Sequence, residues 1–207
     1  LLPTTLDIRT IEPRQLVWLA AAFVLASAPH LARLPLWIGA LIICITGWRL
    51  YLMRHRLKAP AKWLLAIVAI GSALGILFQY RTLLGRDAGV ALLVVMLALK
   101  LLETRNQRDG MLLVFLGCFL LVTNFLHSQT IPTAIYMLGC AWLLIANLVV
   151  LQYTEKWPGW RAPLWRAGVL FAQALPLMAV LFLLFPRIQG PLWGLPRDAY
   201  AGLSGLS

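Results

Sequence analysis

Residues 63–80 read WLLAIVAIGSALGILFQY, eighteen consecutive positions without one charged side chain. A helix needs about 20 mostly apolar residues to cross a bilayer, so this stretch sets the fold class. The rest of the chain agrees with it. Of the 207 residues, 61% are apolar and 12% are charged. Soluble domains run near 25% charged, and so few charges could not clothe a water-facing surface. Hydrophobicity this high also excludes disorder. The three cysteines form no CxxC motif and no Cys/His cluster, so a disulfide framework or a zinc module has no support.

Working outward from 63–80, seven stretches qualify as spans, near 15–29, 34–52, 63–80, 87–102, 110–126, 131–152 and 167–185. The expected fold is an all-α integral membrane bundle of about seven helices, with six as the alternative if two merge or one is lost. The fourth is the most polar, with Arg86 and Asp87 at one end and Lys100 and Glu103 at the other. Lys100 is expected to snorkel to the headgroups. Pro29 and Pro35 are expected to bracket a reversal between the first two spans. Asp87, Asp109 and Thr130 are the expected N-caps of the fourth, fifth and sixth helices, with Pro132 tolerated in the first turn of the sixth.

The +11 net charge would point to nucleic acid in a soluble protein, but here the basic residues lie between apolar runs. They therefore set orientation, and no nucleic-acid partner is expected. With seven spans, thirteen Lys and Arg fall on the side of Arg9, Arg54 and Arg105, and five on the side of Arg33 and Arg86. The positive-inside rule then places the N-terminus in the cytoplasm and the C-terminus outside; six spans would reverse the C-terminal side. Residues 1–14 form a cytoplasmic segment, 15–185 the membrane domain and 186–207 a Pro/Gly-rich linker. Trp48, Trp63, Trp157, Trp160 and Trp165 read as interfacial anchors. Ala26-Ser27-Ala28 mimics a signal-peptide cleavage site, and an uncleaved first helix is the favoured reading.

No catalytic constellation emerges. Cys44, Cys118 and Cys140 lie inside apolar runs, where a thiol stays protonated, and they read as packing residues. His30, His55 and His127 sit at different span ends without ligand spacing, so neither a metal nor a cofactor is expected. Gly202-Leu203-Ser204-Gly205 matches the short pattern of intramembrane serine proteases, yet no helix follows it. Gly71 and Gly75 form a GxxxG-type helix contact. Asn124 and Gln173 are expected to bond across helices. Intramembrane charge is the generic pointer to transport, but Arg86, Asp87, Lys100, Glu103, Arg108 and Asp109 all lie at helix ends. They read as ion-paired helix-end supports. Pro176 predicts a kink in the last span.

Three blocks carry a resemblance: PHLARLPLW at 29–37, LLGRDAGVALLVVMLALKLLETRNQRDGMLLVFLGCFLLVTNFLHSQT at 83–130, and LPLMAVLFLLFPRIQGPLWGLPRDAYAGLSGLS at 175–207. Together the chain resembles the N-terminal membrane domain of the TgpA-type bacterial transglutaminase-like proteins. The middle block is the most specific, since its order of charges is no generic hydrophobic pattern. The resemblance implies a downstream extracytoplasmic domain of papain-like fold with a Cys, His and Asp triad, then a final membrane helix. None of the triad positions lies in this chain, so no catalytic residue is carried over. It further implies a parent protein-glutamine gamma-glutamyltransferase of the cell envelope. The expected role is a membrane anchor and scaffold in the inner membrane, with membrane lipids, the downstream domain and cell-envelope substrates as partners. The alternative is a small transporter or lipid-handling module acting through the bundle.

Overall fold

The computed structural model describes residues 10–57, 60–82, 85–125, 127–128, 130–153 and 159–184. Among them are seven α-helices and no strand. These are α1 (Pro13–Leu31), α2 (Leu36–Arg54), α3 (Lys62–Tyr80), α4 (Arg86–Glu103), α5 (Gln107–Phe125), α6 (Ile131–Gln152) and α7 (Arg161–Leu184). Five of them, α2, α3, α5, α6 and α7, are long and apolar enough to cross a membrane. The linker at 186–207, Ser204, Trp157 and Arg9 lie outside the described residues.

The chain divides into two units, 1–169 and 170–207. In the first unit α1 and α4 pack together at the centre. Both α2 and α5 touch this pair, α3 packs on α4, and α6 packs on α1 and α5. The most polar helix is thus the most enclosed. Ten residues of α4, from Ala88 to Leu102, are buried; they cover rather more than half of its circumference, while Gly89 and Met96 face outward. A helix with charges at both ends is costly against lipid, and surrounding it with protein lowers that cost. The second unit contains the described residues 170–184, an apolar helical stretch that runs through Pro176.

Several expected boundaries move. Pro29 does not end α1 but lies inside it. Its missing N–H leaves the Leu25 carbonyl without its helical donor. The Tyr136 hydroxyl of α6 donates to that carbonyl at 2.7 Å, so a helix break is replaced by an interhelical bond. The reversal is made instead by Ala32–Pro35, with Arg33 and Leu34 N–H groups both donating to His30 O. Ala26-Ser27-Ala28 lies within the same continuous helix, and Ser27 Oγ donates back to Phe23 O at 2.8 Å.

The glycine contact also differs from expectation. Gly75 lies under the Trp37 ring, which a Cβ would meet at 3.2 Å, but Gly71 faces open space. The close helix approach is on α5, where a Cβ on Gly117 would meet Leu144 at 3.0 Å and one on Gly110 would meet Leu151 at 3.0 Å. Seven residues apart, these two glycines share one face of α5 and let α6 approach. Cys44 and Cys118 lie on outward faces, and only Cys140 of the three is buried, so the first two do not serve interior packing.

Candidate functional site: polar clusters at the two ends of α4

Polar side chains converge at each end of α4, which at 1.5 Å per residue is ~27 Å long. At its C-terminal end Lys100 does not reach out alone. Its Nζ donates to Glu103 Oε2 at 3.1 Å and to Asp109 Oδ1 at 2.9 Å. The side chains of Lys100 and Asp109 are 22% and 24% exposed. The cluster is compact because α4 and α5 are joined by only Thr104, Arg105 and Asn106. Asp109 is not the N-cap of α5 but sits in its first turn. From there its second oxygen accepts the Arg105 and Asn106 N–H groups at 3.3 and 3.4 Å. One carboxylate therefore binds the lysine, shapes the turn and complements the positive end of α5.

Arg49 closes the same end, although it lies inside the apolar run of α2. It is buried, and its guanidinium donates to the Thr104 carbonyl at the C-terminus of α4. A cation there complements the partial negative charge of the helix end. The N-terminal strap adds to it: Ile11 N–H donates to Arg105 O at 2.9 Å. From α1, Gln15 Nε2 donates to Val150 O of α6 at 3.1 Å. Arg108, in contrast, is exposed and is not drawn into the Lys100 cluster.

At the other end, Asp87 is in the first turn of α4, with Gly85 at the N-cap position. Arg86 Nε lies 3.6 Å from Asp87 Oδ1. The closer partner is His127 Nε2, at 2.8 Å. His127 Nδ1 lies 3.3 Å from Thr123 O. The structure also brings His30 and His127 together, edge to face at 6.4 Å. His30 Nε2 bonds to Leu120 O at 3.2 Å, holding α1 to α5. Among the described residues no three His, Cys, Asp or Glu are grouped to hold a metal.

Beside these rings, Arg33 Nη1 donates to Asn124 Oδ1 at 3.0 Å. This bond joins the α1–α2 reversal to α5. Thr130 occupies the N-cap position of α6 without a side-chain bond to the helix backbone; its hydroxyl instead lies 2.9 Å from that of Thr133. Gln173 lies in the second unit.

Sequence spacing predicts the Lys100–Glu103 pairing, because i and i+3 share a helix face. It does not reveal Arg49 or His127. The signals for them are weak: an arginine three residues from the end of the 34–52 run, and a histidine one turn after Thr123. Their partners are 55 and 40 residues away.

Residues 18–207 match the family described as TgpA N-terminal domain. A protein-glutamine gamma-glutamyltransferase of Pseudomonas aeruginosa is 41% identical over 196 residues, covering 93% of this chain. The chain spans 29% of the length of that relative. No solved structure matches it significantly. The match begins inside α1 and takes in every helix after it, and on this ground the chain belongs to the TgpA N-terminal domain family.

Proposed function

We propose that this chain is the membrane anchor and scaffold of a bacterial transglutaminase-like protein. It holds an extracytoplasmic catalytic domain at the inner membrane, where that domain acts on cell-envelope substrates. Coverage carries this reading: nearly all of this chain aligns with less than a third of a relative named for glutamyl transfer. The remainder of such a protein supplies the chemistry, and this part supplies the bundle.

All seven helices cross the bilayer, N-terminus inside and C-terminus outside. Residues 1–14 are cytoplasmic, 15–185 form the bundle and 186–207 lead to the catalytic domain. The apolar lengths of five helices support the crossings. The enclosure of α4 supports its own, since its charged ends are held by protein groups. Thirteen Lys and Arg against five support the orientation. Arg86, Asp87, Lys100, Glu103 and Asp109 serve as ion-paired helix-end supports, and Arg108 adds charge at the same end without joining the cluster.

Alkaline phosphatase fusions test the topology. A fusion following Ser207 in full register is expected to be active, and one in the Thr104–Asn106 turn inactive. The reverse pattern, or the same activity at both sites, overturns the seven-span arrangement.

A further inference from the structure

At the Arg33 end of the bundle a cavity of about 400 Å³ opens between α1, α5 and α6, lined by Pro29, Arg33, Asn124, Pro132, Thr133 and Tyr136. Its size lies within the range of small-ligand sites. We infer that this cavity binds the phosphate of a membrane phospholipid, with Arg33 and Asn124 as its recognition groups.

The argument starts from Asn124, which is 1% exposed. Its Oδ1 faces the Arg33 guanidinium, which only donates, so the orientation of the amide is settled by chemistry. The Nδ2 group is left buried, and among the described residues it has no partner. A buried amide donor without an acceptor is costly. An anionic oxygen in the cavity beside it supplies one.

The surroundings select an anion. Arg33 contributes a full positive charge and a fork suited to phosphate oxygens. The first turn of α6 brings the positive end of a helix of 22 residues. Three hydroxyls cluster there: Thr133 lies 2.9 Å from both Ser128 and Thr130, Oγ to Oγ. Asp87 is the acidic residue at this end among the described residues, and His127 and Arg86 already engage it. Arg33, the Asn124 amide and the Thr133 hydroxyl thus all bring donors to the cavity lining.

The surroundings also select a lipid. At the cavity, Tyr136 of α6 is an exposed apolar ring, and Leu25, one turn before Pro29 on α1, is exposed as well. A phosphate held by Arg33 and Asn124 leaves acyl chains free to lie along them. The leaflet rests on the proposed orientation, which makes it the outer one; the binding itself does not depend on that orientation.

Native mass spectrometry of the full-length protein in detergent tests this, with dioleoyl phosphatidylglycerol, dioleoylglycerol and glycerol phosphate as probes. The phospholipid is expected to be retained, one per chain, and the two partial probes at least tenfold more weakly. Arg33→Gln and Asn124→Asp, the second nearly isosteric, are each expected to weaken retention about tenfold or more. Lys62→Gln, at the opposite end, is expected to leave it unchanged. Thermal melts establish that each variant is folded; if Arg33→Gln is not, Asn124→Asp alone decides. Equal retention by wild type and folded variants overturns the site. Retention of dioleoylglycerol as strong as that of phospholipid does the same, and glycerol phosphate binding as tightly as phospholipid overturns the lipid.

Discussion

Pro29 shows how one residue is offset by another more than a hundred positions away. The carbonyl it frees, Leu25 O, is taken by the Tyr136 hydroxyl. Tyr136→Phe should therefore destabilise the bundle by about 1 kcal/mol, the scale of one interhelical hydrogen bond in a membrane protein. In a Pro29→Ala background position 29 regains its N–H, which can donate to Leu25 O. The cost of Tyr136→Phe should then shrink by at least half. Unfolding titrations of the two single variants and the double variant measure this, and an undiminished cost would show the two groups to be independent. Pro29 was legible as a chain breaker, but its neutralisation was not, because the partner belongs to a helix packed alongside.

Among the elements, the α5–α6 contact gives the sharpest expectation. Gly117→Leu drives a large side chain into Leu144 and should lower stability by about 1–3 kcal/mol, the usual range for overpacking. Gly71→Ala enters open space and exchanges a poor helix former for the best one, gaining up to about 1 kcal/mol. Melting temperatures of the purified variants should move in opposite directions; a fall for both would refute the assigned glycine roles. Helix positions were readable from hydrophobic run length, since lipid demands long uninterrupted apolar stretches. Which glycines meet a neighbour was not readable, because the same spacing serves a lipid-facing surface and a helix contact.

At the scale of the molecule, the proposed scaffold role predicts that charge variants act through assembly. Asp109 has three bonds, to Lys100 and to two backbone N–H groups, whereas Glu103 shares Lys100 alone. Asp109→Asn should therefore lower the amount of inserted protein more than Glu103→Gln, by several-fold against less than twofold. Transferase activity of the full-length protein should fall in proportion to that amount. Quantitative fluorescence size-exclusion of membrane extracts checks the first part, and activity per inserted molecule the second. Activity abolished by Glu103→Gln or Asp87→Asn at unchanged protein level would instead support a transporter or lipid-handling role through the bundle.

Composition and run length alone establish a helical membrane-type chain, and the order of charges from Arg86 to Asp109 points to its family. Both properties are local: each depends on what a segment of about twenty residues does in lipid or at a helix end. The neighbours of each segment are another matter. That α4, the most polar helix, lies innermost, that Arg49 holds its end, and that His127 meets Asp87 all follow from packing between segments distant in the chain. Hydrophobicity cannot encode those choices, because in a bilayer every apolar face is equally at ease against lipid or protein. They are decided by shape and by the few polar groups that must find partners.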